Sequence, residues 1–177
     1  AGIRQFRRLT GARLVALFET SFYQWMPEPA RRYAVPESWH AAGIRRHGFH
    51  GASHKFIAER SADLLGRPDL LRRIERLYVD GPGEEPEGPP LRVISCHLGG
   101  SSSVTGIRNG LAIGTSMGLS PQSGLPQNNR VGDLDSMALP LAVKHLGIGL
   151  DDAVKTLSKE AGLLGLSGVS NDLRDIV

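Results

Sequence analysis

The chain has almost no cysteine and no long apolar segment. Its 177 residues contain one cysteine, Cys96, which excludes an internal disulfide and suits a reducing, cytoplasmic compartment. No apolar run approaches the roughly 20 residues that a membrane-spanning helix needs. We therefore expect a protein that does not associate with membranes.

Several common functional signatures are also missing. There is no Cys/His group at metal-ligand spacing, no Gly-x-x-x-x-Gly-Lys-Ser/Thr loop and no Gly-x-Gly-x-x-Gly fingerprint. Aromatic residues make up only 6% of the chain, and the net charge of +3 comes from scattered arginines. Nucleic-acid binding usually needs a basic stripe with interleaved aromatics, so we expect a partner that is a small anion instead.

Titratable side chains are concentrated around glycines in the segment "RRHGFHGASH", residues 45–54. Glycine lets a backbone approach another group closely, while histidine, arginine and serine can hold an anion or move a proton. A solvated loop has no need of this combination. The segment therefore indicates a functional site.

Three further segments have both a functional and a purely structural interpretation. "CHLGGSSSVT" places His97 before a Gly/Ser turn that suits phosphate oxygens, or it is an ordinary turn with a chance histidine. "NNRVGDLD" places Arg130 in a polar, Gly-containing loop, as an anion contact or as a surface arginine. "SNDLRD" holds Asp172 and Arg174, which could contact a nucleotide or pair with other surface charges.

Periodicity predicts an α/β arrangement. The first ten residues indicate an amphipathic helix, and "RLVALFET" indicates a buried strand with Glu19 at its carboxyl end. A helix is expected to begin at Ser53 as N-cap, and the helix after residue 150 is expected to run unbroken through "LDDAVKTLSKEAGLLG". The apolar face of the helix that starts at Ser53 is expected to consist of Phe56, Ile57, Leu64 and Leu65.

The middle of the chain predicts a flexible loop and then a hairpin. Residues 80–90, "DGPGEEPEGPP", can hold neither a helix nor a central strand. Three strands follow in "LRVISCHL", "SSVTGIRNG" and "LAIGTSM", the last two joined at Asn109-Gly110, which is a strong hairpin signal. A further helix is expected from about Asp133 to a stop at Gly147.

In chain order, these segments resemble the acetate kinase family, the short-chain acyl kinases of the actin and sugar-kinase superfamily. The matching segments are "VALFETSFYQWMP", "HGFHGASHKFIAER", "CHLGGSSSVTGIRNGLAIGTSMGLSPQSGL", "RVGDLD" and "GLLGLSGVSNDLRDI". The resemblance covers nearly the whole chain apart from residues 80–90, which look like an insertion. It implies a ribonuclease H-like, actin-like ATPase fold, with a mixed β-sheet flanked by helices.

The resemblance also implies a chemistry: transfer of a phosphoryl group between ATP and a short-chain carboxylate such as acetate, with Mg²⁺, in a homodimer. His50 would hydrogen-bond the phosphoryl oxygens, Arg130 would neutralise their charge, and Glu19 would organise the metal. Phe49 and Pro121 would border the pocket for the methyl end of the acid. The implied nucleotide and phosphate contacts are His97, Gly99, Gly100, Ser101, Ser102, Asp172 and Arg174.

The chain departs from the family pattern at four places. Glu19 stands where the family usually has Asp, Gly100-Ser101 replaces Asn-Gly, Asn128-Asn129 replaces Gly-Thr, and Gly114 replaces Asp. The altered turn at Gly100-Ser101 motivates one alternative to an ordinary acetate kinase, which is a relative that uses another acid or phosphoryl donor. A second alternative is a nucleotide-binding module without catalysis, because a fold does not determine a function.

The resemblance implies that the chain is the central part of a longer, two-lobed kinase. Residues 1–30 would end the first lobe, and residues 31–177 would form part of the second, nucleotide-binding lobe. The missing parts would supply half of the substrate cleft, so we expect negligible activity from the 177 residues alone.

Overall fold

A short antiparallel sheet lies against two helices in the computed structural model, which describes residues 2–177. The sheet consists of β1 (Arg92–Leu98), β2 (Ser102–Arg108) and β3 (Leu111–Thr115), in that spatial order. The α-helices are α1 (Gly2–Leu9), α2 (Glu28–Arg31), α3 (Glu37–Ala41), α4 (Gly51–Leu64), α5 (Pro68–Asp80), α6 (Ala138–Leu146), α7 (Leu150–Lys159), α8 (Gly162–Ser167) and α9 (Leu173–Ile176), with a 3₁₀ turn at Ser21–Tyr23. The α/β class is confirmed.

The register of the sheet brings polar side chains onto one face. His97 pairs with Ser103, and Ser95 pairs with Thr105, so these residues share the face that α4 covers. The opposite face carries Ile94, Leu98 and Ile113, which are 78%, 74% and 47% exposed. Both strand pairings are antiparallel, so residues 2–177 do not include the parallel pairing that a mixed sheet would have.

The hairpin between β2 and β3 forms where the sequence predicts it. Asn109 and Gly110 both have positive φ, 48° and 83°, as a tight two-residue turn requires. A Cβ on Gly110 would lie 2.2 Å from Cγ1 of Ile74, so the glycine also allows α5 to pack against the turn. The buried Asn109 side chain accepts a hydrogen bond from the Leu91 N–H at 2.8 Å.

The hydrophobic core lies between the sheet, α4, α5 and the 3₁₀ turn. Its apolar side chains come from segments far apart in the sequence, so the core joins the 3₁₀ turn to the two helices and the sheet. The buried members are Phe22, Tyr23, Met26, Ala58, Ala62, Leu70, Ile74, Leu77, Ile107 and Ala112.

The expected apolar face of α4 is wrong. Phe56, Leu64 and Leu65 are exposed, whereas the buried residues of the helix are Gly51, His54, Ala58 and Ala62. Small side chains let the helix approach the sheet closely, and His54 is buried because strand hydroxyls satisfy its nitrogens. The N-cap is His50 rather than Ser53, which lies inside the first turn.

Three other expectations are also corrected. Residues 13–18 have no regular secondary structure and are exposed, because a strand forms only beside a partner and residues 2–177 provide none for this segment. The helix expected from Asp133 begins at Ala138 instead, and it ends at Leu146 with Gly147 as its C-cap, where the stop was predicted. The long helix expected from residue 150 is divided into α7 and α8, since Gly162 has a φ of +64°.

Residues 81–90 form the predicted loop after α5. Arg73 Nε donates to the Pro82 carbonyl at 2.7 Å, Arg67 donates to the Pro89 carbonyl at 3.0 Å, and Asn109 donates to the Glu85 carboxylate at 2.8 Å. No helix among residues 2–177 has the length and apolar character that crossing a bilayer requires.

Candidate functional site

The glycines of the histidine-rich segment allow close backbone packing. A Cβ on Gly48, where φ is +73°, would lie 2.5 Å from the Tyr23 ring, and a Cβ on Gly51 would lie 2.4 Å from the Glu19 carbonyl oxygen. The Gly51 N–H donates to that carbonyl at 2.9 Å. The glycines therefore attach the first turn of α4 to the segment that carries Glu19.

Tyr23 fixes the backbone immediately before the candidate histidine. Its hydroxyl donates to the Phe49 carbonyl at 2.6 Å and lies 3.0 Å from Thr105 Oγ1 on β2. Burial raises the pKa of Tyr23, so the phenol stays protonated and keeps this donor. Phe49 is thus held by its main chain beside His50.

His50 is positioned by the turn between β1 and β2. Its backbone adopts the left-handed conformation, with φ 59°, which histidine tolerates better than most residues. The ring places Nδ1 2.8 Å from Ser103 Oγ and Nε2 2.7 Å from Ser101 Oγ. The His97 ring stacks on it, with centroids 3.9 Å apart and planes inclined by 21°.

His97 is in turn linked to α4, because its Nδ1 lies 3.0 Å from Ser53 Oγ. The residue that the sequence indicated as an N-cap is therefore a hydrogen-bond partner of a site histidine. His50 and His97, expected to serve the phosphoryl group and the phosphate turn respectively, are in direct contact in the structure.

The charges around His50 come from three segments. Burial lowers the pKa of His50, and the His97 ring lowers it further. The Glu19 carboxylate raises this pKa, and the Arg130 guanidinium lowers it. Glu19 and Arg130 are therefore both within electrostatic range of this ring. The pKa is lowered overall, and His50 is therefore neutral at neutral pH.

Arg130 is held by main-chain atoms of Pro121 and Gln127. Arg130 Nη1 donates to the Pro121 carbonyl at 3.4 Å, and its own carbonyl accepts from the Gln127 N–H at 3.0 Å. A Cβ on Gly162 would lie 2.6 Å from that Arg130 carbonyl oxygen. The first residue of α8 thus packs directly on the main chain that carries the arginine.

Gln127 is the functional-site residue that sequence reasoning missed. It is 1% exposed, its Oε1 accepts from the Ser102 N–H at 3.3 Å, and its Nε2 donates to the Pro121 carbonyl at 2.9 Å. It therefore joins the Gly/Ser turn to the arginine loop. A glutamine in a polar loop carries no sequence signal for such a role, since only its buried position reveals it.

The Gly/Ser turn opens into a cavity of about 700 Å³. Gly99 and Ser102 line one part of this cavity, and Asp172 and Arg174 line another. The turn is closed by the Gly99 N–H donating to the Ser101 carbonyl at 3.2 Å, while Gly100 is exposed with open space around it. The structure thus joins two segments that lie about seventy positions apart.

Asp172 and Arg174 also pair with each other, as the alternative interpretation of the sequence allowed. Asp172 caps α9 by accepting from the Arg174 N–H at 2.9 Å, and the two side chains form a salt bridge. The Arg174 guanidinium lowers the pKa of Asp172 to about 2. Both residues therefore remain charged at the rim of the cavity.

Glu19, Phe49 and Pro121 are the remaining candidates. Glu19 is exposed, and within residues 2–177 no three His, Cys, Asp or Glu side chains form a metal-binding group. Magnesium in kinases is usually held by one or two carboxylates together with substrate phosphates, so a lone carboxylate fits that metal. That Phe49 and Pro121 border one apolar pocket stays a prediction.

Comparisons with known proteins agree on one family. The family described as the Acetokinase family matches residues 1–77 and 84–177. The acetate kinase of Bacillus subtilis (strain 168) is 42% identical over 178 residues, which cover 99% of this chain and 40% of that protein. The acetate kinase of Geobacillus kaustophilus is 40% identical with the same coverage.

Two solved structures share the fold. Porphyromonas gingivalis acetate kinase superposes with a TM-score of 0.80 at 34% identity, over 98% of this chain and 39% of that one. A propionate kinase from Francisella tularensis gives the same TM-score and identity, over 98% of this chain and 40% of that one. The chain therefore spans about two fifths of the length of the relatives that it matches.

Proposed function

Because this chain belongs to the acetokinase family, we propose that the complete protein containing it transfers a phosphoryl group from ATP to a short-chain carboxylate, giving an acyl phosphate and ADP. The observation that carries the proposal is the arrangement around His50. A neutral imidazole at the Gly/Ser turn lies within electrostatic reach of a guanidinium and a carboxylate. Phosphoryl transfer needs this combination, because its catalysis consists mostly of positioning and charge neutralisation.

In this reaction His50 donates a hydrogen bond from Nε2 to an oxygen of the migrating group. Arg130 neutralises the negative charge that develops on the same oxygens. Gln127 accepts a hydrogen bond from Ser102 and donates one to Pro121, and these two bonds hold the Gly/Ser turn and the arginine loop at a fixed separation, so that His50 and Arg130 stay aligned on the same oxygens.

Mg²⁺ fits the carboxylate of Glu19. This residue is exposed, it is attached to α4 through its carbonyl, and its charge reaches His50. A bound Mg²⁺ would offset phosphate charge and retain several waters, which leaves a single protein carboxylate sufficient. Glu19 orients that metal relative to the histidine.

The nucleotide occupies the cavity of about 700 Å³, a volume within the usual range for small-molecule sites. Gly99 and Ser102 contact the phosphates, while Asp172 and Arg174 contact the adenosine. What supports this assignment is that both segments line the same cavity, with the Gly/Ser turn at one part and the charged side chains of Asp172 and Arg174 at another.

Short-chain acids are the proposed acceptors, with Phe49 and Pro121 at the methyl end. Acetate is the first choice because the curated relatives are acetate kinases, and a structural relative is a propionate kinase. Another acid or phosphoryl donor is the second choice. The Gly/Ser turn favours this second choice, because Gly100 offers no side chain to a phosphate and because the Ser101 hydroxyl is the hydrogen-bond partner of His50 Nε2.

We propose that residues 1–30 end the first lobe and residues 31–177 contribute to the second, in a homodimeric protein. Phe22, Tyr23 and Met26 belong to the core formed with α4 and α5. The junction is thus tightly packed, and a shift of the first lobe would move the Glu19 segment with it.

The test is acyl phosphate formation by the complete protein, measured with acetate, propionate and butyrate and with ATP or pyrophosphate as donor. His50→Asn, which tolerates the left-handed backbone, and Arg130→Ala should each lower kcat by ~10²–10³-fold. The matched control is Arg60→Ala, which removes an exposed arginine paired with Asp63 on α4.

Turnover with another acid or with pyrophosphate, and not with ATP and acetate, would select the second choice. Wild-type turnover in both site variants would refute the proposed roles. Nucleotide binding without turnover of any acid would favour a module that binds but does not catalyse.

A further inference from the structure

A continuous hydrogen-bonded chain runs from the interior of the protein to His50. Ser95 Oγ lies 2.8 Å from His54 Nδ1, and His54 Nε2 lies 2.8 Å from Ser103 Oγ. Ser103 Oγ then lies 2.8 Å from His50 Nδ1. The first three residues are fully buried, at 0–1% exposure, so water does not compete for these bonds.

The number of protons restricts how this chain can be arranged. A neutral imidazole has one N–H donor and one acceptor nitrogen, and a hydroxyl has one proton. Burial, together with the repulsion that His50 and His97 exert when they are protonated, lowers the pKa of His54 to about 4, so this ring is neutral at neutral pH. His50 is neutral as well, since its pKa is also lowered.

Ser103 lies between two ring nitrogens and cannot donate to both. If both rings donated to it, its own buried proton would lack an acceptor, because residues 2–177 offer Ser103 Oγ no other. Two arrangements remain. In one, Ser103 donates to His50 and the proton of that ring is on Nε2; in the other, Ser103 accepts from His50 and the proton is on Nδ1.

The two nitrogens of His50 face different surroundings. Nδ1 faces the buried Ser103, whereas Nε2 faces Ser101 in the Gly/Ser turn. A phosphoryl oxygen only accepts hydrogen bonds, so the nitrogen at the turn must carry the proton to bind one. The arrangement with Nε2–H is the one that suits the proposed reaction.

We infer that Ser103 and His54 are positioning residues that fix the orientation and tautomer of His50, with Ser103 donating to Nδ1 and accepting from His54. This inference rests on the proposed function. Ser95 completes the chain by donating to His54 Nδ1. The His97 ring, stacked at 3.9 Å, holds the plane of His50, and the charges that face His50 are those of Glu19 and Arg130.

The first test measures the tautomer directly. In the complete protein labelled with ¹⁵N-histidine, the His50 signals, assigned by their loss in His50→Asn, should show Nε2 protonated and Nδ1 unprotonated. Wild-type protein in which Nδ1 carries the proton would overturn the inference. This readout needs no catalysis, so it stands even if the complete protein turns over none of the acids tested.

The second test uses variants. Ser103→Ala should give His50 a mixed tautomer and lower kcat about 10–100-fold, as loss of a supporting hydrogen bond to a site histidine commonly does, with KM near the wild-type value. Ser103→Thr keeps the hydroxyl and should restore both. Ser158→Ala is the matched control, because that hydroxyl bonds to the Val154 carbonyl on α7.

A double-mutant cycle tests whether His54 acts through Ser103. His54→Gln should lower kcat in the wild-type background and have little further effect in Ser103→Ala, because the intermediary is already absent. Fully additive effects, or wild-type kcat in Ser103→Ala, would refute the positioning role.

Discussion

His54 should make the stability of the protein depend on pH in a defined range. Its pKa is about 4 in the folded protein and about 6.5 in the unfolded chain. Below pH 6.5 the unfolded chain binds a proton at this position that the folded protein does not bind until pH 4. Stability from the neutral ring is therefore complete above pH 6.5 and is lost as the pH falls through 4.

The shift sets the size of the effect. A difference of 2.5 pKa units corresponds to about 3 kcal/mol in total, of which about 2 kcal/mol is lost between pH 7 and pH 5. In His54→Gln this pH-dependent loss of about 2 kcal/mol does not occur, because glutamine does not titrate. The free energy of unfolding of the variant should therefore fall by about 2 kcal/mol less than that of the wild type over this interval.

Urea unfolding at pH 7 and pH 5 provides the measurement. It can be followed by tryptophan fluorescence, to which Trp25, packed against the core, contributes. His145→Gln on the exposed surface of α6 is the matched control and should keep the wild-type pH dependence. Equal losses in wild type and His54→Gln would show that His54 titrates normally in the folded protein, which would refute the reasoning.

Two further changes test the supports of the site. Gly162→Ala should destabilise the protein by about 2–4 kcal/mol, because a side chain at φ +64° is strained and its Cβ would lie 2.0 Å from the Gln127 carbonyl oxygen. Thermal unfolding measures this loss of stability, and an unchanged Tm in the variant would contradict the close packing. Glu19→Gln should raise the Mg²⁺ concentration needed for half-maximal activity at least ~10-fold, since a neutral amide binds the cation weakly. An unchanged Mg²⁺ concentration for half-maximal activity would show that Glu19 does not bind the metal.

The sequence predicted the parts of the fold that depend on local signals. Asn109-Gly110 specified the hairpin because the turn needs two residues with positive φ, and the Gly-rich segment around His50 indicated close packing. The family resemblance, carried by ordered motifs, is confirmed by the comparisons.

Features that depend on distant partners were not predictable. The buried face of α4 consists of a histidine and small residues, which give only a weak hydrophobic pattern in the sequence. This face can be buried because the hydroxyls of Ser95 and Ser103 form hydrogen bonds with His54. Gln127 has its role because the Ser102 N–H needs an acceptor there. Residues 13–18 look like a strand because their composition is apolar, but pairing requires a neighbour.

The outer face of the three-stranded sheet has a practical consequence. Its apolar side chains are uncovered, and β1 and β3 each leave one side without a neighbouring strand within residues 2–177. Copies of these 177 residues produced alone would therefore adhere through strand edges, and precipitation would be their default behaviour. Solution measurements on these 177 residues alone would therefore report self-association.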